Sequence, residues 1–164
     1  LQALELEGVE AQLKWPNDVW VKEQKLAGIL VELVPTKIGT LAIVGIGINV
    51  DLTNVQASKI DQSVTTLRRL GALISRDDLV VAVHASLLKN FEVYFSEGFA
   101  PFLDAFNSAH CLQDRAAILV LGTESQQGIV RGIDITGGLR FEQNGAIRIV
   151  TSGEVSLRPL TTEE

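Results

Sequence analysis

Lys14-Trp15-Pro16-Asn17-Asp18, then Lys25-Leu26-Ala27-Gly28-Ile29-Leu30-Val31-Glu32-Leu33, then Gly45-Ile46-Gly47-Ile48-Asn49-Val50: these three pieces follow closely on one another. Each sets polar or glycine positions inside apolar, strand-like surroundings, where they cost stability and so need a reason. Pro16-Asn17-Asp18 predicts a turn, because proline fixes φ and Asn and Asp bond their own backbone. Val19-Trp20-Val21 reads as a strand, Lys22-Glu23-Gln24 as the polar close of a hairpin, and Lys25 to Leu33 as the next strand, rich in leucine and β-branched residues. Pro35 to Gly39 reads as a connecting loop, and Thr40 to Val50 as a further strand. The simplest arrangement is an antiparallel meander.

Gly28, Gly45 and Gly47 are out of place within that meander. Glycine weakens a strand interior and marks a bulge or a place where a ligand approaches the backbone. Gly45 and Gly47 are two apart and share one strand face, which Asn49 continues. Bare backbone ending in one amide suits the floor of a small-molecule pocket. A pair of bulges with an exposed Asn is the plainer reading of the glycines alone.

In this order and at these separations, Lys-Trp-Pro-Asn-Asp, Lys-Leu-Ala-Gly-Ile-Leu-Val-Glu and Gly-Ile-Gly-Ile-Asn resemble the second half of the catalytic domain of biotin protein ligases. The resemblance extends to the C-terminal tail and is thinnest from Asp51 to about Arg76. It implies an α/β (α+β) fold: a mixed or antiparallel sheet with packed helices, like class II aminoacyl-tRNA synthetases and biotin ligases but incomplete. A small SH3-like β-barrel would follow. The expected division is residues 1–112 for the catalytic part and 113–164 for the barrel.

Composition sets the outer bounds. The chain has 164 residues, 46% hydrophobic and 21% charged, which is the composition of an ordinary globular protein of one domain, or one and a small second. It holds no Met and is expected to be a fragment or processed piece. No apolar run approaches the ~18 residues of a membrane span, and no basic-then-apolar leader is present. A net charge of −6 with scattered Lys and Arg argues against a nucleic-acid surface. The single cysteine, Cys111, allows no intramolecular disulfide and fits a reducing, cytoplasmic setting; it reads as structural.

Leu1 to Glu7 predicts the end of a helix stopped by Gly8, and Ala11 to Trp15 the strand leading into the turn. Val64, Leu67, Leu70 and Ile74 suggest a short helix capped by Ser63. Ser75-Arg76-Asp77-Asp78 opens the clearest helix, with Leu79, Val83, Leu87, Phe91 and Tyr94 as its apolar stripe to about Ser96. Ala100-Pro101 opens another, with Phe102, Phe106 and Ala109 facing inward. His84 and His110 are isolated; each reads as a satisfied or exposed histidine, not a metal ligand. From about Gln113 five short runs, separated by turns such as Thr136-Gly137-Gly138 and Gln143-Asn144-Gly145, predict a small barrel. Gly153 to Arg158 is similar to the closing segment of the ligases' SH3-like domain.

The resemblance also implies the chemistry: biotin and ATP give biotinyl-5′-adenylate and pyrophosphate, and biotin then passes to one lysine of a carboxyl carrier protein. Lys25 matches the family's catalytic lysine, a fixed cation for the negative charge that both steps develop. Lys25, Gly28, Gly45 and Gly47 would contact biotin. Trp15, Asn17, Asn49 and Arg158 would contact ATP, with Mg²⁺ held through Asn17 or Asn49. Trp15 either stacks on adenine or sits in the core. Asp18 holds the turn through an Asx bond. Lys14 either contacts phosphate or is a surface strand end. The family's Gly/Arg-rich loop lies upstream of the first motif and has no counterpart here, so the chain alone is expected to be inactive unless another chain supplies the missing half. A homodimer through the catalytic-domain sheet is a further expectation. Two rivals share the fold: a non-enzymatic regulator that keeps it for dimerisation, and a lipoate-ligase-like acyltransferase.

Overall fold

The computed structural model describes residues 1–51, 63–151 and 155–160. The chain forms two compact units, one from Leu1–Gln12 and Asn17–Val83, the other from Leu13–Pro16 and His84–Glu164. The unit that holds the barrel therefore takes in more than residues 113–164.

The first unit opens with α1 (Gln2–Glu5), which buries Ala3 and Leu4. Gly8 ends that turn in the left-handed region at φ 69°. Strand β1 (Gln12–Lys14) lies where the chain passes between the units. Then β2 (Asp18–Val21), β3 (Gln24–Thr36) and β4 (Gly39–Ile48) follow as antiparallel neighbours. Lys22 and Glu23, both at positive φ, make the two-residue turn whose twist matches a hairpin. The expected Pro35–Gly39 loop is shorter than predicted. β3 runs on to Thr36 and pairs it with Gly39, because the Thr36 hydroxyl donates to the Gly39 carbonyl at 2.7 Å and closes the turn.

β2 and β3 do not run in simple register. Val19 faces Ala27 but the next residue, Trp20, faces Lys25, so Leu26 is extra: a β-bulge. Leu26 and Ala27 are both buried. Beyond the bulge Asp18 faces Gly28, Gly28 faces Gly47, and Leu30 faces Gly45. The far half of the β3–β4 hairpin exposes apolar side chains on both faces, among them Leu33 (67% exposed), Val31 and Leu41.

The predicted helix over Val64–Ile74 is not what forms. Ser63 to Thr66 is extended and Val64 makes a parallel bridge with Lys25, followed by a turn that ends at Gly71. Backbone pairing to β3 outcompetes a short helix here: the Lys25 N–H donates to the Ser63 carbonyl at 2.9 Å and the Thr65 N–H to the Lys25 carbonyl at 3.0 Å. Residues 52–62, within the stretch where the resemblance is thinnest, lie outside the described residues. Ser75 does cap α2 (Arg76–Glu97), its hydroxyl accepting the Asp78 N–H at 3.1 Å. Along the predicted stripe Leu79 is buried, whereas Phe91 and Tyr94 are exposed.

In the second unit a single 3₁₀ turn (Ala100–Phe102) runs into α3 (Leu103–Ala109). The five strands then form as predicted: β5 (Ala116–Leu121), β6 (Glu124–Ile133), β7 (Leu139–Gln143), β8 (Ala146–Val150) and β9 (Val155–Pro159), in the order β8-β7-β6-β5-β9. Asn144-Gly145, both at positive φ, turn β7 into β8. Alternate strand residues point inward. Ala117, Leu119, Val130, Leu139, Phe141 and Leu157 are each fully buried, and Phe99, Leu103 and Phe106 pack onto the same core.

Candidate functional site

The sheet of the first unit brings one row of residues together. Asp18, Gly28 and Gly47 lie side by side across β2, β3 and β4. In a regular strand Lys25 and Gly28, three residues apart, would point to opposite faces. The extra residue at Leu26 reverses that parity. The Lys25 Nζ then reaches the Asp18 Oδ1 at 2.6 Å, both side chains mostly shielded from water. A Cβ built on Gly28 would lie 3.2 Å from the Lys25 Cε, 3.3 Å from its Nζ and 3.5 Å from the Asp18 Oδ1. Glycine at 28 is thus the seat of the ion pair, besides any role toward biotin.

The main chain of Lys25 is fixed as firmly as its side chain. The parallel bridge to Val64 holds both its N–H and its carbonyl, and the Asn49 Nδ2 adds a third bond to that carbonyl at 3.3 Å. The Asn49 N–H donates to the Leu26 carbonyl at 2.9 Å, and its own carbonyl accepts the Leu67 N–H at 2.9 Å. Asn17 is bound to β3 in both directions. Its carbonyl accepts the Ile29 N–H at 2.9 Å and its Nδ2 donates to the Ile29 carbonyl at 2.7 Å. These bonds use the NH₂ ends of the two amides.

On the same sheet face Gly47 has no atom within 4 Å of the place a Cβ would take, and Gly45 meets only Leu30. Among the described residues the arrangement is a short floor of bare backbone with one held cation, Lys25, at one end. Such a floor accepts a flat or narrow ligand close to the main chain, and the cation stabilises negative charge that develops beside it.

Two predicted ATP residues belong to the second unit. Trp15 is 3% exposed and belongs to the core of the second unit, where its Nε1 donates to the Gly137 carbonyl at 3.1 Å. This decides between the two readings of that ring. It is core, with no free face for adenine, because burying a large aromatic in the barrel outweighs leaving it exposed. Lys14 is 8% exposed and is not a surface strand end. Arg158 sits exposed on β9 opposite Ile118. His84 is exposed, as expected. His110 is neither exposed nor fully satisfied: it is buried, its Nε2 accepts the Trp15 N–H at 3.0 Å, and its Nδ1 has no partner among the described residues.

Among the described residues no three His, Cys, Asp or Glu side chains converge as a metal cage. Asp18, the carboxylate of the row, is engaged by Lys25. The residues predicted for Mg²⁺, Asn17 and Asn49, would offer it amide oxygens. That neutral donor set fits an ion that arrives on a triphosphate and keeps several of its waters. No helix is long and apolar enough to cross a membrane.

Sequence reasoning missed Asp18 as the partner of Lys25 and Gly28 as their seat. The hairpin turn at Lys22-Glu23 sets the register of the first pairs, but the bulge that carries Asp18 opposite Gly28 leaves no distinct mark in a run such as Lys25-Leu26-Ala27-Gly28.

The model of the biotin/lipoate A/B protein ligase family matches residues 1–49, and that of the biotin protein ligase C-terminal domain matches residues 117–158. The bifunctional ligase/repressor BirA of Escherichia coli is 37% identical over 151 residues, covering 91% of this chain and 47% of that protein. The biotin--[acetyl-CoA-carboxylase] ligase of Mycobacterium tuberculosis is 31% identical, covering 89% of this chain and 53% of its own length. The chain thus spans about half the length of these relatives. The apo structure of biotin protein ligase from Aquifex aeolicus superposes with a TM-score of 0.84 at 31% identity, covering 96% of this chain and 70% of that one. The same enzyme in complex with biotin and ATP gives 0.83 at 31% identity, covering 96% and 66%. The mixed α/β fold with antiparallel sheets and an SH3-like C-terminal barrel matches these solved ligases, and the chain belongs to the biotin protein ligase family.

Proposed function

We propose that the protein joins biotin to a carrier in two steps: ATP-dependent formation of biotinyl-5′-adenylate, then transfer of biotin to a lysine of a biotin carboxyl carrier protein. The observation that carries this reading is the Lys25 ammonium, held over Gly28 by Asp18 at the end of the open glycine floor. A biotin carboxylate oxygen attacks the α-phosphorus of ATP, and pyrophosphate leaves with the electrons of the broken P–O bond. The carrier lysine amine then attacks the acyl carbon, AMP leaves, and the amine gives up a proton. Lys25 stands for the cation that stabilises the charge around phosphorus in the first step and on the acyl oxygen in the second. Gly28, Gly45 and Gly47 let biotin lie against the main chain. Asn17 and Asn49 offer their amide oxygens on the nucleotide side, and Arg158 is assigned to the nucleotide or the carrier. Mg²⁺, when bound, neutralises part of the triphosphate charge.

The same proposal takes residues 1–112 as catalytic domain and 113–164 as barrel, places the protein in the bacterial cytoplasm, and lets two copies pair through the sheet of the first unit, whose β3–β4 hairpin exposes Leu33 and Leu41. The matched family model includes lipoate ligases, so a lipoate substrate is the second reading, separated from the first by comparing biotin with lipoate binding.

The test mixes the full-length protein with ATP, Mg²⁺, biotin and a carrier domain, and weighs the carrier. A biotin-sized mass gain that vanishes in Lys25→Ala supports both the reaction and the residue. A gain that survives in the variant keeps the reaction and removes Lys25 from it. No gain, with a carrier that another ligase labels, favours the regulator.

A further inference from the structure

His110 is a buried titratable side chain that the proposed reaction leaves without a task. Its neighbours bind it to the chain just ahead of the Asn17 turn. Leu13 and His110 form a parallel bridge, the Cys111 N–H donates to the Leu13 carbonyl at 2.8 Å, and the His110 Nε2 accepts the Trp15 N–H at 3.0 Å. The Phe106 ring stacks on the imidazole at 5.8 Å between centroids. An acceptor at Nε2 puts the proton of the neutral ring on Nδ1, which is buried without a partner among the described residues. A ring kept only for packing would avoid that cost as phenylalanine. The acceptor is therefore the part of the side chain that needs explaining.

Trp15 is anchored twice, by its amide to His110 and by its indole to Gly137. One residue follows, Pro16, whose ring fixes φ. The next is Asn17, whose main chain and side chain both bond Ile29, the neighbour of Gly28. We propose that His110 is a positioning residue: by accepting the Trp15 amide it sets where the chain enters the Asn17–Asp18 turn and so keeps Asn17 bound to Ile29. Toward the nucleotide this rests on the ligase reading above; toward Ile29 it does not.

Two variants separate the acceptor from the ring. His110→Phe keeps the ring and its stacking on Phe106 but removes the acceptor. His110→Gln keeps an acceptor near the Nε2 position and removes the ring. Amide hydrogen exchange of the full-length protein reads the result. The Val130 amide, bonded to the Arg115 carbonyl at 3.0 Å, is the control for general loosening. In His110→Phe the Ile29 amide is expected to exchange at least about tenfold faster while Val130 keeps its rate, a local opening made easier by about 1.4 kcal/mol. His110→Gln should return Ile29 to within about threefold of the wild type, under 1 kcal/mol. In a protein that transfers biotin, His110→Phe should raise KM for ATP about tenfold and leave kcat within about threefold. Ile29 exchange that stays at the wild-type rate, that rises in step with Val130, or that His110→Gln fails to restore overturns the proposal, and an unchanged KM for ATP in an active protein overturns its nucleotide arm. A wild type that transfers no biotin sinks the ligase reading instead, and Ile29 still decides the case of His110.

Discussion

The β3–β4 hairpin and the barrel β5–β9 are both antiparallel strands with glycine at intervals, and they spend their apolar residues in opposite ways. The barrel turns alternate side chains into one core, where Phe141, Leu119 and Leu157 are wholly buried. The hairpin leaves Val31, Leu33, Leu41 and Ile43 in solvent, on both faces. One region is satisfied by its own residues. The other holds its order near the bulge, where Leu26 and Ala27 are buried, and offers an open surface beyond it. The candidate site lies at the boundary inside the sheet, where ordered main chain meets open glycine. That position suits a binding site: fixed enough to hold a cation, open enough to admit a ligand.

The largest effect should come from breaking the closed region. Phe141→Ala removes a fully buried aromatic, and urea unfolding should show a loss of about 3–5 kcal/mol. Leu33→Ala, 67% exposed in the hairpin, should fall within about 0.5 kcal/mol of the wild type in the same measurement. Next in size, Lys25→Ala should lower the rate of adenylate formation about 10²–10³-fold, as loss of one preorganised charge-stabilising group does. Asp18→Asn keeps the size of the side chain and removes the ion pair, so its loss of rate should be smaller.

Most of both regions was legible in the sequence. The turn chemistry of Asn144-Gly145 and the alternation in Leu139–Phe141 predict the barrel, and the spacing of Gly45 and Gly47 predicts a bare strand face. The features that escaped depend on tertiary contacts. The Leu26 bulge decides that Lys25 lies over Gly28, yet the run Lys25-Leu26-Ala27-Gly28 suits a regular strand equally well. Whether Trp15 meets a base or a core depends on what the fold brings to it, and the fold brings the barrel. The Ser63–Thr66 segment has helical spacing after it, but its main chain finds better partners at Lys25. Local propensity loses wherever backbone pairing or core burial across the fold offers more.

The buried imidazole sharpens the comparison through pH. Burial, and next the positive charge of Lys14, lower the pKa of His110 from 6.5 to about 4. The folded state thus prefers the neutral ring and the unfolded chain takes up the proton first. Stability from this residue is complete above pH 6.5 and is lost as pH falls toward about 4, below which the slope from this group ends. The loss is on the order of 3 kcal/mol. Urea melts of the wild type and of His110→Phe between pH 7 and 4 check it. The difference between the two proteins should change with pH across that window and stay level above it.

The smallest change in stability separates the two regions by a single methyl group. Gly47 and Gly128 both sit in strands, and neither has positive φ, so alanine is conformationally allowed at each. At Gly128 the new Cβ would come 2.5 Å from both the Glu142 carbonyl oxygen and the Phe141 ring, contacts that the barrel relieves only by shifting its core. Overpacking of that kind costs about 1–3 kcal/mol. At Gly47 it would meet nothing within 4 Å, so Gly47→Ala should leave stability unchanged or raise it by up to about 1 kcal/mol, through reduced freedom of the unfolded chain. The cost should appear in function instead. If the open floor is where biotin lies, Gly47→Ala raises KM for biotin and leaves KM for ATP alone, whereas Gly128→Ala lowers the unfolding midpoint without that selective change. Equal biotin KM values for Gly47→Ala and wild type would mean that the space above Gly47 serves something other than biotin.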